Sequence, residues 1–247
     1  MKLKVIIAAT LIMCVSSVAF AQYEEKMQEE GVVHGTVTVN GETIEGYIKK
    51  DEVTFAEKTH IAYYSLQKSI KFIDKSTFEN TEKIKRKMYT TYTPKNCQGF
   101  TYESEVFDVR RYADNSAVGF NMIPRNMFMR QIKVNGPVTF YLHYNTPSIV
   151  YTGEGAYEAE MTEIFKNPHL AYYREGMEKP EMIDHLTKKD FADCPRIQQK
   201  MENKEYEKSR TKEDNEALYG IAEYHNISLF DERNLNVLED FIKNGCQ

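Results

Sequence analysis

An Asn-Gly dipeptide between two β-rich runs is the feature that most constrains the fold of this chain. Small and β-branched residues alternate with polar ones from Val33 to Val39, Asn40-Gly41 follows, and a second β-rich run extends from Thr43 to Ile48. A type I′ turn needs positive φ at both central residues, and Asn-Gly meets this need well. The sequence therefore predicts a β-hairpin. Gly35 and Gly46 are predicted to face each other across it, where a bulge forms or another backbone comes close.

Further strands are predicted before residue 145. Six segments are rich in β-branched or aromatic residues: Ser69–Asp74, Met88–Thr93, Gly99–Tyr102, Val106–Tyr112, Met127–Val134 and Val138–Tyr144. Seven or eight strands without intervening helices favour an antiparallel β sandwich or open barrel. We place this β-rich domain at residues 31–150, after a linker over residues 22–30.

Residues 151–187 are predicted to connect the β-rich domain to a helical region. Glycines and prolines interrupt this segment repeatedly. Residues 156–165 are compatible with a helix or with a mobile acidic loop. Residues 170–174 and 181–186 are compatible with a last pair of strands.

The period of the apolar residues becomes helical in the region 188–247. Pro195 is acceptable at a helix start, where its missing N–H costs nothing. A second helix is predicted to begin near Thr211, and a third after Asp231, ending at Gly245. The predicted fold class is therefore α+β, an antiparallel β sandwich or open barrel followed by a small C-terminal helical region.

The first 21 residues are typical of a secretory signal peptide. Lys2 and Lys4 precede an apolar run from Val5 to Val18, and Ala19-Phe20-Ala21 has the small-x-small pattern of a cleavage site. We predict cleavage after Ala21 and export to the periplasm or the extracellular space. The apolar run is shorter than the roughly 20 residues of a transmembrane helix, and the mature chain is predicted to have no such segment.

The cysteines are consistent with export and leave the pairing open. Lipidation at Cys14 is disfavoured, because the large Met13 precedes it where a lipoprotein cleavage site has a small residue. The mature chain keeps Cys97, Cys194 and Cys246, which allow three pairings or none. We favour Cys194 with Cys246, which would tie down the last helix and contribute about 3 to 4 kcal/mol. Three reduced thiols are the alternative.

Net charge argues against some partners. The chain carries 32 basic and 37 acidic residues, and loss of the leader removes two lysines and no acid. An acidic surface disfavours nucleic acid and anionic lipid. Lys83, Lys85, Arg86 and Lys87 form a basic cluster that we interpret as a solvated connection, with an anion-binding patch as the alternative.

Three short segments resemble a family of uncharacterised secreted proteins typical of Bacteroidota. They are Gly46-Tyr47-Ile48 at the end of the hairpin, the segment Tyr92–Phe100, and Phe191–Pro195 with a later Tyr-His-Asn. The resemblance covers most of the mature chain. It implies an envelope location and supplies neither an activity nor catalytic residues.

Residues typical of catalysis or metal binding are sparse. The six histidines show no metal-ligand spacing, and the sequence contains no H-E-x-x-H, calcium loop, G-x-S-x-G, P-loop or dinucleotide motif. No cofactor is predicted. Cys194 is a catalytic candidate, with His185 or His225 as its partner. The segment Asp193-Cys194-Pro195 places its thiol at a helix start, where the macrodipole favours a thiolate.

Two classes of function remain open. The favoured one is a non-enzymatic exported envelope protein that presents a sheet face or edge to a protein, peptide or glycan. The aromatic-rich strand Thr139–Tyr144 motivates it. The alternative is a hydrolase that uses Cys194 or a pair of carboxylates from an acidic group. That group comprises Glu154, Glu158, Glu160 and Glu163.

Overall fold

A computed structural model describes residues 23–113, 123–147, 153, 155–207 and 232–246. Several predicted features lie outside the described residues: the signal peptide, Cys14, Glu154, the helix near Thr211, His225 and the Asp231 cap.

The described residues contain twelve strands. They are β1 (Val32–Val39), β2 (Glu42–Lys49), β3 (Glu52–Phe55), β4 (Lys58–Ile61), β5 (Ile70–Asp74), β6 (Thr90–Tyr92), β7 (Gly99–Tyr102), β8 (Glu105–Tyr112), β9 (Arg125–Asn135), β10 (Val138–His143), β11 (His169–Arg174) and β12 (Glu181–Met182). Ten of them form one antiparallel sheet in the order β12-β11-β10-β9-β8-β7-β1-β2-β5-β6, and β3 pairs with β4 alone. The sheet is open, with β12 and β6 at its edges.

Six α-helices accompany the sheet within the same described residues. They are α1 (residues 23–30), α2 (Tyr63–Leu66), α3 (Lys75–Asn80), α4 (Ala156–Lys166), α5 (Pro195–Glu202) and α6 (Glu232–Asn244). The predicted α+β class is confirmed: the strands form one large antiparallel sheet, which is not closed into a barrel, and C-terminal helices follow it. Pro195 is in the first turn of α5, and Gly245 follows α6 with φ of 63°.

The β1–β2 hairpin has the predicted turn and register. Asn40 and Gly41 have φ of 52° and 82°, and Gly35 lies opposite Gly46. A Cβ on Gly46 would overlap the carbonyl oxygen of Ile73 on β5, and one on Gly35 would overlap that of Thr101 on β7. Both glycines are needed because neighbouring backbones approach closely on each side of the hairpin.

Substituting Gly46 by alanine is expected to destabilise the protein. The added methyl group meets backbone that hydrogen bonds hold in place, so the expected loss is about 1 to 3 kcal/mol of unfolding free energy. Urea denaturation measures it. Thr43→Ala, at an exposed position of the same strand, is the control and should cost well under 1 kcal/mol. Equal losses in the two variants would contradict the explanation.

The structure gives detail to the two segments that flank the predicted β-rich domain. Residues 23–30, predicted as a linker, form a helix whose Met27 packs on the apolar cluster that includes Phe78 of α3. In the segment 151–187, the compatibility with a last pair of strands is confirmed by β11 and β12, which extend the sheet beyond β10. Residues 156–165 are helical, which decides between the two alternatives for the acidic segment.

The C-terminal helices cover one end of the sheet. Leu235, Leu238 and Phe241 of α6 are buried in the same cluster as Phe140 and Tyr172 of the sheet. Apolar residues at three- and four-residue spacing therefore form the contact between the helical region and the strands.

Two buried charged groups fix the helical region. Arg174 on β11 lies against the rings of Phe191 and Phe241, at 5.0 and 5.3 Å from their centroids, and it binds the carboxylate of Asp193. Asp240 on α6 has a side chain that is only 3% exposed.

The carboxylate of Asp240 has several donors. Arg196 and Lys200 of α5 lie 2.9 and 3.0 Å from Oδ2, and the hydroxyl of Tyr206 donates to the same oxygen at 2.5 Å. Asn244 donates to Oδ1 at 2.7 Å. Burial alone would raise the pKa of Asp240, but these hydrogen bonds outweigh burial and hold the pKa well below its usual value.

Candidate functional site

The sheet leaves a gap at its β12 edge. Only two residue pairs, Ala171 with Met182 and Tyr172 with Glu181, join β11 to β12. The chain then turns into a 3₁₀ helix over Ile183–His185 instead of continuing the strand. Among the described residues, the start of β11 therefore has β10 on one side and no strand on the other.

This gap forms a pocket of about 260 Å³, here called the edge pocket. Its lining comes from the end of β10, the end of α4, the start of β11 and the turn after β12: Asn145, Glu163, Ile164, Asn167, Pro168, His169, Leu170, Met182, Ile183 and Asp184. Five apolar side chains, one of them a proline, supply the apolar part of the lining. Two carboxylates, two carboxamides and one imidazole supply the polar part.

Hydrogen bonds hold part of the polar lining in place. Asn167 donates to Glu163 Oε1 at 2.7 Å, which joins the last turn of α4 to the loop before β11. The side-chain amide nitrogen of Asn145, Nδ2, lies 3.4 Å from Nε2 of His169. The His169 ring lies 5.5 Å from that of His143 on the neighbouring strand. The side chains that bound the pocket are thus partly ordered before any ligand enters.

The chemistry of the edge pocket suits polar recognition. Carboxylate and amide oxygens accept hydrogen bonds from hydroxyl and N–H groups, while the aliphatic side chains can contact the carbon skeleton of a ligand. The described residues contain no group of three or more His, Cys, Asp or Glu side chains arranged to hold a metal ion.

Cys194 does not supply a nucleophile in this structure. It is fully buried and forms a disulfide with Cys246, with the two Cα atoms 4.9 Å apart. A disulfide sulfur has no proton to lose, so the helix start after Cys194 activates no thiolate. His185 lies on an exposed turn. Cys97 keeps a free thiol, and burial raises its pKa.

The predicted acidic group is not brought together around one site. Glu158 accepts a hydrogen bond from the backbone N–H of Ala56, at 2.9 Å. Among the described members of the group, Glu163 is the one that lines the edge pocket, and Asp184 joins it there from a distant segment.

Most of the residues that line the edge pocket were not predicted from the sequence. Asn145, His169 and Asp184 are far apart along the chain and match no motif. The pairing of β10 with β11 brings the first two together, and the turn after β12 brings the third. A correct sheet register would have been the only way to find them.

The aromatic strand β10 does not provide an exposed binding face. Phe140 and Tyr141 are fully buried, and Tyr144 just beyond the strand is also buried. Their rings serve the core on both faces of the sheet. This removes the sequence feature that suggested a sheet-face interaction and leaves the sheet edge.

A second cavity, of about 430 Å³, lies near Arg174 and is lined by charges of both signs. Arg174 is already engaged there by the carboxylate of Asp193 and the carbonyl oxygen of Asp190. Because its central cation is neutralised within the fold, we regard this cavity as part of the packing of the helical region.

The chain was compared with protein-family models, with curated proteins and with solved structures, and none of them matches it. Within the residues that the structure describes, no helix has the length and apolar character needed to cross a membrane.

Proposed function

We propose that the chain is an exported binding protein that receives a small polar group of its partner in the edge pocket. The observation that carries the proposal is the polar lining over aliphatic side chains at an open position of the sheet edge. The disulfide and the sequence of the first 21 residues are compatible with export.

Binding is better supported than catalysis. Cys194 is oxidised, and Glu163 is hydrogen bonded to Asn167 of its own helix segment. The hydrolase alternative retains one feature, the presence of the Glu163 and Asp184 carboxylates in the same pocket. Two carboxylates can act as acid and base only if their pKa values are driven apart by their surroundings.

The pocket limits the kind of ligand. Its volume of about 260 Å³ is near the lower end of small-molecule sites, roughly 300 Å³. Among the residues that the structure describes, the lining includes no lysine or arginine. The ligand we propose is a neutral or amine-bearing group of the size of one sugar or one amino-acid residue, at the end of a glycan or peptide.

The test is a binding titration with Glu163→Arg. Wild-type protein labelled with ¹⁵N is titrated with a panel of monosaccharides, amino sugars and tripeptides. A panel member that binds should shift the amide signals of His169, Leu170 and Asp184. The arginine side chain should fill the pocket and raise the Kd at least tenfold, about 1.4 kcal/mol.

Glu160→Arg is the matched control, with the same charge change on the same helix outside the pocket lining. It should alter the Kd less than twofold. Equal weakening in both variants, or no shift at the three amides with any panel member, would contradict the proposal. Turnover of a bound compound that Glu163→Gln abolishes would instead support the hydrolase alternative.

A further inference from the structure

The basic cluster lies on a segment that is anchored to the protein. Residues 83–88, here called the basic strap, run between α3 and β6. Ile84 and Met88 of the strap, and Tyr89 just after it, pack on the buried cluster of Val32, Tyr47, Ile73 and Phe78. The strap is therefore amphipathic, with its apolar side chains turned toward the core.

Hydrogen bonds and a cation–π contact hold the residues on either side of the strap. Lys26 of α1 donates to the carbonyl oxygens of Phe78 and Thr81, at 2.5 and 2.7 Å, just before the strap begins. Residues Arg86–Met88 form a 3₁₀ turn. Beyond it, the ammonium group of Lys49 lies 5.8 Å from the ring centroid of Tyr89.

The charged side chains of the strap point away from this core. Lys83, Lys85, Arg86 and Lys87 are all exposed, and none of them forms an ion pair within the described residues. Other exposed lysines do, as in the Lys75–Glu45 pair. The segment that we interpreted as a solvated connection is thus a row of four unpaired cations on an ordered backbone.

We propose that the basic strap is a docking site for a linear acidic polysaccharide, separate from the edge pocket. A fixed row of cations loses less conformational entropy on binding a polyanion than a flexible tail would. The rest of the chain is acidic, with a net charge of -5 for the full sequence. A narrow polysaccharide chain can contact the strap alone. A broad anionic membrane surface would also come within the Debye length, about 8 to 10 Å, of many carboxylates of the protein, and these would repel it.

The structure favours a polysaccharide over an acidic peptide. A peptide gains affinity from apolar anchors or from adding a strand to a sheet edge. The apolar side chains of the strap are turned inward. The neighbouring edge strand β6 has three residues, and the carbonyl oxygen of Thr91 already accepts a hydrogen bond from Asn96 at 3.4 Å. A hydrophilic polyanion needs neither feature.

Charge removal tests the proposal. In the strap variant, Lys83, Lys85, Arg86 and Lys87 are all replaced by glutamine. The control variant carries four glutamines at exposed lysines elsewhere: Lys58, Lys166, Lys189 and Lys204. Both variants have the same net charge, so a general electrostatic effect is equal in the two. The probes are a heparin dodecasaccharide and an oligogalacturonate, measured by isothermal titration in 50 mM salt.

Wild-type protein should bind at least one of the two probes, more weakly as salt is added. The strap variant should lose at least tenfold in affinity, and the control variant less than twofold. Absence of binding by wild type, or equal losses in the two variants, would overturn the proposal. Tighter binding of polyglutamate or of phosphatidylglycerol vesicles than of both probes would show that the partner class is wrong.

Discussion

Replacing Asp240 by alanine is expected to lower the free energy of unfolding by about 3 to 5 kcal/mol at neutral pH. The substitution removes a carboxylate that is 3% exposed and leaves Arg196, Lys200 and Tyr206 facing an empty site. Their donors then lose a partner without regaining full hydration. Guanidinium denaturation monitored by circular dichroism measures the loss.

The matched control is Glu202→Ala. Glu202 on α5 pairs with Lys188, but both side chains are largely exposed, at 59% and 45%. Exposed pairs contribute about 0 to 1 kcal/mol. If the Glu202 and Asp240 variants lost the same free energy, the donors around Asp240 would not be holding the helical region in place.

The Asp240 cluster also predicts a direction of pH dependence. Its folded-state pKa lies below the unfolded value of about 3.9. The stabilisation by this carboxylate is therefore fully present above about pH 4 and declines as the pH falls further. As the pH falls from about 4 to 2, the free energy of unfolding should decrease less in Asp240→Asn than in wild type. The difference in unfolding free energy between the two proteins should therefore become smaller in acid.

The parts of the fold that could be predicted are those determined by residues close together in the sequence. Asn40-Gly41 determines both the turn and the register, and this register alone places Gly35 opposite Gly46. The last helix was also predictable, because its apolar residues keep helical spacing up to Gly245.

The missed hairpin shows the limit of turn motifs. Ala56 and Glu57 form the turn between β3 and β4 with φ of 47° and 60°, which non-glycine residues seldom adopt. No Asn or Gly marks this position. Packing of Phe55 on Phe165 of α4, with ring centroids 5.1 Å apart, accompanies the turn and is a long-range contact that local sequence does not encode.

The two candidate sites also differ in how much of each can be predicted from local sequence. The basic strap is visible in the sequence as a cluster of charge, but the segment that leads into it is held at Thr81 by Lys26, which lies on a helix more than fifty residues earlier. The edge pocket depends on where β12 stops pairing with β11. Strand ends are set by competition between local turns and sheet pairing, so sequence periodicity does not locate them.

Removing the disulfide is expected to cost about 4 kcal/mol. Cys194 and Cys246 are 52 residues apart, and closing a loop of that length restricts the unfolded chain by about this amount in the chain-entropy model. The bond joins the start of α5 to the end of α6. The double variant Cys194→Ser/Cys246→Ser should therefore unfold at a lower denaturant concentration, with earlier hydrogen exchange in residues 235–241.

Reductant provides the control for this prediction. It should destabilise wild type to the level of the double variant and leave the double variant unchanged. A domain usually has about 5 to 15 kcal/mol of stability, so a bond of this size is compatible with the export that we propose. Intact mass and thiol counting on protein from the native envelope test this directly: we expect a chain that begins at Gln22 with one free thiol, Cys97. Three free thiols in that material would contradict both the bridge and its expected contribution to stability.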